Sequence, residues 1–98
     1  MLTSKQRAAL RSAANGIDTI MQIGKGGISD ALIKQIDDAL TARELIKIKV
    51  LENCEYTSRE MAEMLSGRVD SEPVQVIGNK FVLFRRNPKK PSYDNYLK

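Results

Sequence analysis

Between residues 17 and 51 the hydrophobic period of the chain changes twice, and few architectures accept that order of periods. Residues 17–24, IDTIMQIG, are rich in isoleucine and end on glycine, which predicts a buried strand. Residues 29–43, SDALIKQIDDALTAR, then place Leu32, Ile33, Ile36, Ala39 and Leu40 at helical spacing, with Lys34, Gln35, Asp37 and Asp38 facing away. Residues 44–51, ELIKIKVL, alternate, with Ile46, Ile48 and Val50 on one face and Lys47 and Lys49 on the other. A strand, a helix and a second strand in sequence make parallel strands joined by a right-handed crossover.

The flanking segments complete an α/β chain. Residues 2–16 predict a first helix: Thr3 with Gln6 fits a capping box, and Asn15-Gly16 supplies a stop. Leu10, Ala13 and Ala14 share one side of it, while Arg7 and Arg11, four apart, project together from another. Residues 57–67 repeat the capping logic with Thr57 and Glu60, present Met61, Met64 and Leu65, and end on Gly67. Residues 73–86, PVQVIGNKFVLFRR, read as a hairpin around Gly78-Asn79, a pair suited to a tight turn with positive φ at its first position. The order α-β-α-β-α-β-β predicts a four-stranded mixed sheet with helices packed on it, its strand order left open. Residues 1–86 form the domain; residues 87–98, with two prolines and no periodicity, read as a basic, mobile tail.

Composition narrows the chemistry. The chain has no histidine, which removes the commonest general base and the commonest metal ligand together. A single cysteine, Cys54, forms no internal disulfide and suits a reducing cytoplasm, the expected location. No metal site and no cofactor are expected, nor is a membrane span or a small-molecule substrate. Asp37 and Asp38 are adjacent on a helix, about 100° apart around its axis, and mark a solvated face. The net charge of +4 is unevenly spread: basic groups dominate residues 1–29 and 73–98, acidic groups the middle. If the two ends meet, they make one basic face attractive to a polyanion.

The stretch IGKGGIS, residues 23–29, is the strongest candidate for such a contact. Gly24, Gly26 and Gly27 can take positive φ and keep side chains out of the way of an approaching ligand. The loop enters a helix whose first N–H groups have no internal partners, with Ser29 as N-cap and Lys25 as a point charge. The spacing fits neither the phosphate loop G-x-x-x-x-G-K-[ST] nor the dinucleotide fingerprint G-x-G-x-x-G. It does fit G-x-x-G, Gly24 to Gly27, the pattern with which KH domains clamp a nucleic-acid backbone, although a KH loop joins two helices. Phosphates over this loop would be flanked by Arg7 and Arg11, with Lys47, Lys49, Arg85 and Arg86 as further candidates. The aromatic residues offer no paired stacking platform, so nucleic-acid shape and backbone are the expected target rather than a base code.

Four stretches in order, LTSKQRAALR, QIGKGGIS, ARELIKIKV and VQVIGNKFVLFRR, resemble the YhbY family of bacterial RNA-binding proteins, single copies of the CRM domain. The resemblance spans about residues 2–86. It implies an α/β domain similar to the carboxy-terminal domain of translation initiation factor three. It also implies binding to structured RNA and, in bacteria, association with precursors of the large ribosomal subunit, with the G-x-x-G loop at the RNA surface. The expected protein is a non-catalytic monomer on ribosomal RNA of that precursor. The alternative is a protein-interaction module whose basic face docks on a ribosomal protein or a processing factor.

Overall fold

The structure, a computed structural model, describes residues 2–97. Three helices and four strands follow the expected order: α1 (Ser4–Ala14), β1 (Thr19–Ile23), α2 (Asp30–Arg43), β2 (Leu45–Val50), α3 (Ser58–Arg68), β3 (Glu72–Ile77) and β4 (Lys80–Phe84). The sheet order, open at the sequence level, is β1-β2-β4-β3, with β1 parallel to β2 and both remaining neighbour pairs antiparallel.

Each helix starts where its capping residue predicts. Thr3 and Thr57 accept from the N–H groups of Gln6 and Glu60, whose side chains accept in return from the Thr3 and Thr57 N–H groups. That second bond, Thr57 N–H to carboxylate, holds the Glu60 pKa below its ordinary value. Ser29 caps α2 by accepting from Leu32 N–H at 3.1 Å.

The stop of α3 differs from expectation. Gly67 lies inside the helix, which continues to Arg68; Val69 is the C-cap and Asp70 takes the left-handed position at φ 52°. Ser71 N–H then reaches back to the Ser66 carbonyl at 2.9 Å, the long bond of a Schellman motif. Aspartate is among the few residues besides glycine that visit this region readily, so the helix stops at Asp70 rather than at Gly67.

The alternation of β2 divides the core in two. Ile46, Ile48 and Val50 face α2 and α3, packing with Ile36, Leu40, Met61, Leu65, Phe81 and Leu83. Leu45 faces the other way, into a smaller cluster with Leu10 and Ala14 of α1, Val74, Val82 and Phe84. Phe81 and Phe84 thus both enter cores, on opposite faces. The hairpin has positive φ at Gly78 and not at Asn79, as its sequence predicts. Pro73 sits on the edge strand, at an irregularity in its pairing with β4.

Residues 87–97, read from sequence as a mobile tail, pack back on the domain. Asn87 N–H and Ser92 N–H both donate to the Glu44 carboxylate, which is 2% exposed. Tyr93 meets Phe84 edge to face at 6.2 Å, and a 3₁₀ turn over Asp94–Leu97 lies against α1, where Gln6 Nε2 donates to the Leu97 carbonyl. Lysine 98, counted with the basic tail, lies outside the described residues.

Replacing Thr57 by alanine removes the cap acceptor of α3. Thr57→Ala is expected to lower unfolding free energy by about 1 kcal/mol, measured by urea denaturation, without changing the folded spectrum.

Candidate nucleic-acid interface

The strand directions gather one set of loops at one end of the sheet. β1, β2 and β3 all finish there and β4 begins there, so the 24–29 loop, the 51–57 connection and the Gly78-Asn79 turn are neighbours. Backbone bonds tie them: Leu51 N–H to the Ile23 carbonyl at 2.8 Å and Val50 N–H to the Asn79 carbonyl at 2.7 Å. Ser58, at the start of α3, donates its hydroxyl to the Gly78 carbonyl, which explains why a serine is buried.

Within this frame Gly24 to Gly27 form a closed four-residue turn, with Gly27 N–H donating to the Gly24 carbonyl at 3.0 Å. Its glycines are not equivalent. Only Gly27 has positive φ, at 58°. A Cβ on Gly24 would stand 3.3 Å from Asn53 Oδ1 and 3.4 Å from Leu51 Cδ1, so a side chain there would have to displace these neighbours slightly. Gly26 has neither reason: its φ lies outside the left-handed range and a Cβ there would meet nothing within 4 Å. Nothing among the described residues requires glycine at position 26. Lys25 between them is exposed and makes no ion pair among the described residues.

The other candidates separate into two groups. Lys47 and Lys49 lie on the sheet face that α1 shares, half-buried, and Lys49 is level with Gln22, two residues before the glycine turn. Their pairing across to β4 sets Lys49 opposite Lys80. Lys80 belongs to the basic segment 73–98 but is not among the site residues expected from sequence, since its place opposite Lys49 depends on strand order.

The arginines are elsewhere. Arg85 follows the far end of β4, where its guanidinium is engaged by Asp37 Oδ1 (2.6 Å), the Val69 carbonyl (2.7 Å), the Asp37 carbonyl (2.9 Å) and Thr41 Oγ1 (2.9 Å). It joins α2 to the carbonyl end of α3, a structural clamp. Arg86 forms a two-bond pair with Asp94. The hydrogen bonds from Arg86 hold the Asp94 pKa below its ordinary value, and the Arg86 pKa is raised in return. Arg7 reaches Glu72, at the start of β3, at 3.8 Å, and its Nε is buried without a hydrogen-bond partner. Arg11 is exposed on the same helix and makes no ion pair among the described residues. The ends of the chain do meet, which was the condition for a shared basic face, but Arg7 and Arg86 are matched there by carboxylates. The Asp37-Asp38 pair serves Arg85 and Lys34. Among the described residues no cluster of Cys, Asp or Glu could hold a metal ion, and no helix is long and apolar enough to cross a membrane.

Comparison with known proteins places this architecture. Residues 2–85 match the CRS1/YhbY (CRM) domain. The chain belongs to the CRM family. The "Probable RNA-binding protein YqeI" of Bacillus subtilis is 51% identical over 87 residues, covering 89% of this chain and 91% of that one. The "Probable RNA-binding protein MJ0652" of Methanocaldococcus jannaschii is 38% identical over 86 residues, 86% of this chain and 63% of that one. The solution structure of SAV1595 from Staphylococcus aureus superimposes with a TM-score of 0.75 at 56% identity, over 88% of this chain and 90% of that one. The CRM domain is an RNA-binding module without catalysis, and its match here ends at the residue that closes the α2–α3 clamp.

Arg85→Ala should therefore act on folding. The loss of its charged hydrogen bonds is expected to cost about 2–3 kcal/mol in denaturant unfolding. RNA affinity measured well below the melting temperature should stay at the wild-type level.

Proposed function

We propose that this CRM protein binds ribosomal RNA of the large-subunit precursor during ribosome assembly in the cytoplasm, holding the sugar-phosphate backbone in the turn Gly24–Gly27. The ribosomal target is inferred from the YhbY resemblance. The mode of contact is inferred from the turn itself.

The observation that carries this reading is Gly26. Gly26 faces open space among the described residues, so an approaching phosphate would meet bare backbone in the turn. The neighbouring groups suit a phosphate. The amides of Asp30 and Ala31, ahead of the Ser29-capped Leu32 N–H, start α2 at its positive end, and Lys25 supplies a mobile ammonium. Asp30 opposes an anion at the same place, so a single helix terminus would be a poor site; the turn and Lys25 must provide most of the attraction. Lys49, on the adjoining sheet face, extends the contact. Arg7, Arg85 and Arg86, engaged in pairs and clamps, lie outside it.

Gly26→Ala tests the turn with little risk to the fold. Its melting temperature should match or slightly exceed the wild type, because alanine restricts the unfolded chain. Its affinity for ribosomal RNA should fall several-fold in filter binding, as should that of Lys25→Ala. If about four phosphates are held, log affinity should decline against log salt with a slope near −3. Wild-type affinity in both variants would remove the turn from the interface. Co-purification with ribosomal particles that survives complete RNA digestion would indicate a protein partner instead.

A further inference from the structure

The sheet face that α1 only partly covers carries a row of four residues in register, one from each strand. Gln22 of β1 pairs with Lys49 of β2, Lys49 with Lys80 of β4, and Lys80 with Ile77 of β3. Paired residues point to the same side of a sheet, and Leu45, Val82 and Phe84 identify this side as the one that receives α1. Helix α1 seals the rows toward the other end of the sheet, where Val82 is fully buried. The row at the glycine-turn end stays open: Gln22 and Lys80 are exposed, Lys49 is half-buried, and Ile77 is 55% exposed. Neighbouring strands lie about 4.8 Å apart, so the row spans about 14 Å.

Two of its features oppose stability in the free protein. Lys49 and Lys80 are directly opposite across an antiparallel pair, where like charges repel, and neither makes an ion pair among the described residues. Lys47, the next lysine along β2 on that face, makes none either. Ile77 exposes a large apolar side chain on an edge strand, a place that soluble proteins usually guard with charge. A ligand with regularly spaced negative charge and apolar faces relieves both. Resting on the RNA reading of the glycine turn, we propose that this row is a second contact surface for single-stranded RNA. Lys49 and Lys80 meet phosphates, and Ile77 meets the face of an unpaired base.

Position supports one continuous path. Gln22 is two residues before Gly24, and Lys80 directly follows the hairpin turn whose Asn79 carbonyl bonds to Val50. A strand held by the Gly24–Gly27 turn at the sheet's edge can run across the four strands without a break. A charged groove with an apolar platform is the general physical recipe for binding single strands, and in this row, which has no aromatic residue, an aliphatic contact takes the place of stacking.

The test uses the full chain and a fluorescein-labelled oligouridylate, read by anisotropy over a salt series. The double variant Lys49→Gln/Lys80→Gln should flatten the salt slope by about 1.4 and weaken binding about tenfold at physiological salt. Its melting temperature should be equal to or above the wild type, since a repulsion is removed, so the loss cannot be ascribed to unfolding. Ile77→Ser should weaken the oligouridylate several-fold with the slope unchanged, and should leave binding of a blunt RNA duplex, whose bases are sealed in the stack, untouched. If Lys25→Ala weakens binding while the double variant binds like the wild type, the row is overturned and the glycine turn stands. Equal weakening of single strand and duplex by Ile77→Ser would overturn the contact with bases. A wild-type protein that binds no RNA would overturn the row and the turn together.

Discussion

The fold depends on the two-sidedness of β2. Its even-numbered residues, Ile46, Ile48 and Val50, are held in the main core beneath α2 and α3. The period of a strand then leaves Leu45, Lys47 and Lys49 no choice but the opposite face. Leu45 is buried there by α1, while the two lysines remain half-covered. A shift of one residue would place two lysines in the apolar core, so the register that makes the core also makes the basic face. Core and basic face are consequences of the same alternation.

The cations of this protein fall into two groups by their surroundings. Arg85 holds two helices through a fork of donors that a lysine could not reproduce, and Arg86 ties the returning tail through two bonds to Asp94. Such groups have little left to offer a ligand. Lys25, Lys49 and Lys80 make no ion pair among the described residues and lie at the end of the sheet where three connections converge. Compact, flexible ammonium groups suit the phosphate path proposed above. Net charge alone does not distinguish these populations.

The tail illustrates how far a local reading extends. Residues 87–97 lack periodicity, and the composition of PKKPS favours an open chain. What orders them is a distant acceptor: Glu44, itself at φ 66°, presents a buried carboxylate to two of their amides. The glutamate ends α2 and is unremarkable in sequence, so the docking of the tail could be found only once residues 44 and 92 were neighbours in space.

Period, caps and turn chemistry were legible in the chain because they arise from contacts within a few residues. Thr3 with Gln6, Ser29, Thr57 with Glu60, the alternation of ELIKIKVL and Gly78 each specify their element through local bonds or local dihedral preferences, and the glycine turn with Lys25 was visible for the same reason. Strand order, the pairing of Lys49 with Lys80, and the capture of Arg7, Arg85 and Arg86 by carboxylates and carbonyls were decided by the tertiary structure. Each joins groups on different elements, and no hydrogen-bond preference or hydrophobic period of either partner encodes the other's position. A chain states what its residues need, and only packing determines which distant residue supplies it.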